Sequence, residues 1–214
     1  MEDLIESKRL SWATAGVGLI LELLIGLGGW GAGWMLLRDE LGNNVNLLRE
    51  LVSKATTQEM LLGAGLGAAT AVILWLAIRL IKPLQQSRSL RVLAILGKAT
   101  WLQIILLCLA AGIAEEMLFR GALQARIGIW PAAVLFGLLH AYGRLYVAVA
   151  IFAGVGLGYL YHYTDSLAAV AAAHAVYNLT ISVLVKFGLF PTYIESEVES
   201  GMVEKPVDSG VGQD

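Results

Sequence analysis

An all-α bundle of membrane-spanning helices is the fold class this sequence predicts, and three observations predict it. Of the 214 residues, 57% are hydrophobic and 15% are charged. The mean hydropathy is +0.71. Long stretches carry no charge: Met60–Ile78 (19 residues), Ala99–Ala114 (16), Ile127–Gly143 (17), Leu145–Thr164 (20) and Ser166–Val185 (20). A transmembrane helix needs about 20 predominantly apolar residues, so the chain reads as a polytopic membrane protein with about six crossings. Such a composition excludes a disordered, collagen-like or ordinary soluble chain.

The elements follow in order. Trp12–Leu37 is too long for the apolar core of a secretory signal and is expected as an uncleaved first helix. The polar segment 38–59 carries Leu41, Val45, Leu48 and Leu51 at helical spacing, which predicts a short amphipathic helix at the interface. The second crossing is expected over Glu59–Ile81, stopping before Pro83, which lacks a backbone donor. Lys82, Arg88, Arg91 and Lys98 crowd the next connection. The third crossing is expected from Leu90 or Lys98 to Leu123, and the fourth from Trp130 to Gly143, with Pro131 in its first turn. The fifth covers Leu145–Tyr163 and the sixth Ser166–Lys186. At about 21 Å the fourth is shorter than the bilayer core and is not expected to cross completely. The organisation is thus two N-terminal transmembrane helices over 1–98, a helix bundle over 99–190, and an acidic tail over 191–214 that is expected to be disordered.

Charge and small residues add orientation and packing. The tail holds Glu195, Glu197, Glu199, Glu204, Asp208 and Asp214 against Lys205, which leaves 14 basic and 11 acidic residues in the rest of the chain. The basic connection Arg79–Lys98 is expected in the cytoplasm, and an even number of crossings puts both termini there as well. No dense basic run with interleaved aromatics is present, so no nucleic-acid partner is expected. Gly29 with Gly33, Gly63 with Gly67, and Gly154 with Gly158 have the small-xxx-small spacing that lets helices approach closely in lipid. Cys108, the single cysteine, is expected as a small buried hydrophobe. Trp30, Trp34, Trp101 and His162 are expected near the membrane interface.

Several polar residues stand where lipid would penalise them: Glu115, Glu116, Arg120, His140, His174 and Asn178. A charge at bilayer depth costs about 2.5–3.5 kcal/mol even on insertion scales, so such a cluster implies a protein-lined cavity and function. Glu116 and Arg120 are four apart and can neutralise each other on one helical face. Glu115, about 100° round the helix from Glu116, is left to face something else. Phe136 and His140 share a face, as do His174 and Asn178, so Glu115, His140, His174 and Asn178 converge if their helices are neighbours. A carboxylate and a neutral imidazole can bind and deprotonate water, while a second His and an Asn can donate to an oxyanion. No Ser or Cys stands beside a His as a nucleophile would. Glu22, within the first helix, has no partner evident in the sequence; packing, a neutral protonated state and substrate admission all stay open.

These residues resemble a known family. Glu115-Glu116-Met-Leu-Phe-Arg120 is similar to an EExxxR motif, Phe136-Gly-Leu-Leu-His140 to FxxxH, and His174-Ala-Val-Tyr-Asn178 to HxxxN, in the order found in CAAX-protease and bacteriocin-processing (CPBP, or Abi) intramembrane proteases. The resemblance covers about Ala99–Lys186. It implies an intramembrane endopeptidase in which Glu115 and His140 activate water, His174 and Asn178 stabilise the oxyanion, and Glu116, Arg120 and Phe136 support them. It further implies a multi-pass protein of a bacterial-type inner or plasma membrane, acting on a membrane-associated protein or peptide. Two versions of the chemistry stay open: metal-free water activation, and a divalent metal such as zinc held by Glu115, His140 and His174 with one open position. Two other function classes stand beside the protease: a non-proteolytic membrane scaffold or bacteriocin-immunity protein, and a proton-coupled transporter using the Glu/His cluster as a relay.

Overall fold

The structure, a computed structural model, describes residues 10–37, 45–54, 56–81, 96–141 and 143–190. The N-terminal polar residues, Leu41, Pro83 with its basic connection, and the acidic tail lie outside the described residues. Among the described residues the architecture is helical: α1 (Trp12–Leu36), α2 (Leu47–Ser53), α3 (Thr57–Leu80), α4 (Trp101–Ile127), α5 (Ile129–Leu139), α6 (Arg144–Thr164) and α7 (Leu167–Lys186). The starts are set by side-chain oxygens that accept from free backbone N–H groups: Ser11 for α1, Asn46 for α2, Thr56 for α3 and Ser166 for α7. For α4, Thr100 and Gln103 form a reciprocal capping box.

Five helices, α1, α3, α4, α6 and α7, are long and apolar enough to cross a membrane. Many of their large apolar side chains point outward, among them Ile20, Leu23 and Leu24 of α1, as a lipid-facing surface requires. The fourth expected segment, read as too short to cross completely, is α5, which has only 11 residues, or about 16 Å of helix, roughly half of a hydrocarbon core about 30 Å thick. Gly128 at φ 84° and Gly143 at φ 141° flank it, conformations that side-chain-bearing residues avoid. His140 caps the C-terminal end of this short helix and is partly buried.

The interfacial helix forms where expected, with its apolar face shifted by one residue. Asn46 starts the helix late, and it is Leu47 that is buried, with Val45 and Leu51 beside it, while Leu48 is half exposed. Leu47 packs where Gly33 of α1 and Gly121 of α4 leave room, so α2 is pinned to the bundle rather than laid on it. At this end Lys54 meets Glu50 at 3.0 Å and Asp165, in the α6–α7 turn, at 2.7 Å. The Asp165 hydrogen bond holds the Lys54 ammonium above its ordinary pKa, although exposed pairs of this kind add little to stability.

The glycine pairs mark close seams. A Cβ on Gly63 or Gly67 of α3 would fall on the carbonyl oxygens of Ala169 and Ala173 of α7, so α3 and α7 run parallel with their backbones touching. On α6, a Cβ on Gly154 would stand only 3.1 Å from Ala133 of α5. Gly67→Ala is expected to destabilise the bundle by about 1–3 kcal/mol, the usual result of overpacking. Gly65→Ala, where nothing lies within 4 Å of the new atom, should be neutral. Thermal unfolding of both variants in detergent checks the pair; equal midpoints would contradict the seam.

Candidate active site

Midway along α4 the helix widens: Met117–Gln124 is π-helical, immediately after Glu115 and Glu116. Such insertions concentrate at functional sites because the wider turn re-aims side chains. The wide segment is tied to α6 by two side chains that donate to carbonyls, Arg120 Nη2 to Gly154 O at 3.0 Å and Gln124 Nε2 to Gly158 O at 2.9 Å. Both carbonyls belong to the small-residue pair on α6, so here the close-packing motif also serves the polar cluster.

Arg120 Nη1 donates to Glu116 Oε1 at 2.9 Å, the pairing their spacing predicts, and both residues are almost fully buried. The same Glu116 oxygen accepts from His174 Nδ1 at 2.7 Å. Glu116 thus joins α4 to α7, a bond across 58 positions of sequence that helical spacing could not reveal. The contact also fixes a tautomer. A carboxylate accepts, so Nδ1 of His174 carries a hydrogen, and Nε2 can donate only when the ring is an imidazolium.

Phe136 forms the floor. Its ring lies 4.7 Å beneath the Arg120 guanidinium, 4.4 Å from the His140 ring and 5.9 Å from the His174 ring, and meets Phe119 edge-on at 5.0 Å. Its carbonyl, one of those left without a helical partner at the end of α5, accepts from His140 Nδ1 at 2.7 Å. A carbonyl only accepts, so neutral His140 is protonated on Nδ1 and turns the Nε2 lone pair outward.

That lone pair faces Glu115. His140 Nε2 stands 3.6 Å from Glu115 Oε2, too far for a direct hydrogen bond. Glu115 is buried, and its Oε2 has no hydrogen-bond partner among the described residues. Two acceptors that face each other in this way suit a donor with two hydrogens. Glu115, Glu116, Arg120, Phe136, His140 and His174 therefore come together. Asn178 is half-buried one turn further along α7, with no hydrogen bond from its amide to this group among the described residues.

Among the described residues no three or more His, Cys, Asp or Glu side chains are grouped to hold a metal ion, while His174 and His140 each engage Nδ1 and leave Nε2 as the nitrogen that could serve a ligand. Glu22 is the residue the sequence left without a role that belongs near this site. It interacts electrostatically with Glu115, His174 and His140, and its Oε2 is buried without a hydrogen-bond partner among the described residues. Cys108 is buried as expected, and His162 is exposed.

Comparison with known proteins bears on the same stretch. The family model described as Type II CAAX prenyl endopeptidase Rce1-like matches residues 97–180. The uncharacterized protein YpbD of Bacillus subtilis (strain 168) is 34% identical over 97 residues, which make up 44% of this chain and 51% of that protein. The chain thus spans about half the length of that relative. No solved structure matches. Glu115, Glu116, Arg120, Phe136, His140, His174 and Asn178 all fall inside the matched residues, whereas Glu22 falls outside them. Residues 97–180, which carry the three polar motifs in order on membrane-type helices, are thus similar to the CAAX-protease family, a generally proteolytic one.

Proposed function

We propose that this protein is an intramembrane endopeptidase that hydrolyses a peptide bond of a membrane-associated protein or peptide with water activated by Glu115 and His140. The observation that carries the proposal is the facing pair, Glu115 Oε2 and His140 Nε2, 3.6 Å apart at the end of a half-length helix. Water donating to both acceptors is oriented and polarised, and Glu115 takes its proton as the oxygen attacks the carbonyl carbon. His174, held by Glu116, donates from Nε2 as an imidazolium, and the Asn178 amide donates one turn away; both stabilise the tetrahedral oxyanion. Glu116, Arg120 and Phe136 are positioning residues. Glu116 accepts from the His174 ring and is itself held by Arg120, and Phe136 packs against both rings and accepts from His140 through its carbonyl. We place both termini and the Arg79–Lys98 connection on the cytoplasmic side of a bacterial-type inner or plasma membrane.

The test is hydrolysis of a membrane-peptide library by purified protein in liposomes, with products mapped by mass spectrometry. Discrete cleavage is expected, and no cleavage of any member would favour a scaffold. Asn178→Ala should lower kcat by roughly a hundredfold or more with KM little changed, because one oxyanion donor contributes about 2.7–4 kcal/mol in the transition state only. Steady-state kinetics on a library hit checks this, and an unchanged kcat removes Asn178 from the oxyanion site.

A further inference from the structure

We propose that Glu22 of α1, outside the stretch that matches the protease family, is a further catalytic carboxylate: the acid that protonates the leaving amide nitrogen. The proposal rests on the endopeptidase reading and supplies a step that reading lacks, since Glu115 accounts for the proton leaving water but the departing nitrogen must gain one.

The packing of α1 on α4 carries the placement. A Cβ on Gly18 would stand 3.0 Å from Leu107, one on Gly26 3.3 Å from Ala114, and one on Gly29 2.7 Å from the Leu118 nitrogen. These contacts advance in the same direction on both helices, so α1 and α4 run parallel. Glu22 lies four residues from both Gly18 and Gly26, hence on the face of α1 turned to α4, at a level between Leu107 and Ala114. Glu115 lies about one turn further along α4, within the reach of a glutamate side chain. The long side chain is thus delivered to the catalytic carboxylate from a helix whose neighbouring positions are glycine, which lets the backbones close around it.

Two buried oxygens lack partners on these facing helices. Glu22 Oε2 and Glu115 Oε2 are both buried without a hydrogen-bond partner among the described residues, and the Glu115 side chain is only 10% exposed. Glu22 is close enough to Glu115, His140 and His174 to interact with them electrostatically. The guanidinium of Arg120 is engaged by Glu116 and the Gly154 carbonyl, so it pairs with neither orphan oxygen. Two carboxylates in one low-dielectric cavity repel strongly when both are ionised and instead share a proton. Glu115, set against the His140 lone pair, is the base, and Glu22 holds the proton.

The reaction then balances. Glu115 takes one proton from water as the C–O bond forms. Glu22 gives its proton to the amide nitrogen as the C–N bond breaks, releasing an amine and a carboxylic acid. The proton on Glu115 passes to Glu22 through the next water, which restores the starting state without any oxidant, reductant or co-reactant.

Leaving-group dependence tests the assignment. The full-length protein in liposomes is given a library peptide that the wild type cleaves, and a p-nitrophenyl ester of the same acyl segment, whose phenolate departs without a proton. Glu22→Gln should lower kcat on the peptide by about 10²–10⁴-fold, the usual range for a general acid, with KM and ester turnover nearly unchanged. Glu22→Asp, which keeps a carboxyl group, should recover part of the peptide activity. Equal losses on peptide and ester, an unaltered peptide rate, or a Glu22→Asp protein as inactive as Glu22→Gln would each overturn it. If Glu22→Gln fails to fold, the peptide-to-ester ratio of Glu22→Asp decides: a lowered ratio supports the acid role and a wild-type ratio rejects it. A wild type that cleaves no member of the peptide library instead defeats the endopeptidase reading, and this inference with it.

Discussion

Glu115→Gln protein, folded and in a bilayer, is expected to lose about 10²–10⁴-fold in peptide hydrolysis, the contribution of a positioned general base. Glutamine keeps the volume and one acceptor oxygen but cannot take a proton from water. Folding should survive, because Oε2 of Glu115 has no hydrogen bond among the described residues to lose. His140→Ala should be comparably inactive. It removes the Nε2 lone pair, and it also removes the bond to the Phe136 carbonyl, a net loss of about 1 kcal/mol in stability. The two variants therefore separate chemistry from folding: matched activity losses with a midpoint shift for His140→Ala alone. A folded Glu115→Gln protein that turns over at the wild-type rate would remove Glu115 as the base.

Replacing Glu116 should instead injure the fold. Arg120 is 2% exposed, and Glu116→Ala leaves its guanidinium with the Gly154 carbonyl and without the carboxylate that bonds it directly. Breaking a buried pair from one side typically destabilises by about 3–5 kcal/mol, because the remaining charge stays desolvated. His174 loses its anchor in the same substitution. The double variant Glu116→Leu with Arg120→Met should be less destabilised than Glu116→Ala, since it removes the stranded charge, yet remain inactive because His174 is no longer held. Unfolding midpoints in detergent, compared across the wild type, single and double variants, check this. A Glu116→Ala protein as stable as the wild type would show that the pair is not a structural clamp.

What the sequence made legible was local. The Glu116–Arg120 pair follows from a spacing of four, as does the Phe136–His140 contact, and both are observed. Glycine spacing foretold the close seams, though not that Gly63 and Gly67 meet α7 or that the Gly154 carbonyl receives Arg120. The Glu116–His174 bond and the approach of Glu22 to the cluster depend on which helices are neighbours, which one chain read residue by residue does not state. The π-helical turn carries no periodic signature in eight residues, and it arises where a buried ion pair and two carbonyl contacts on α6 outweigh ideal helical bonding. The fourth expected segment, Trp130–Gly143, is shorter still because the helix already ends at Leu139, with His140 out of helical conformation as its cap.

Direct attack by water is tested most sharply by isotope transfer in a single turnover. Excess protein and a cleavable membrane peptide are mixed in H₂¹⁸O, and product and protein are digested and weighed. The arrangement of Glu115 as a base predicts one ¹⁸O in the new carboxyl terminus and none in the Glu115 carboxyl group. Label in Glu115 would mean that its oxygen, and not water, had attacked the peptide carbonyl, and would contradict the mechanism.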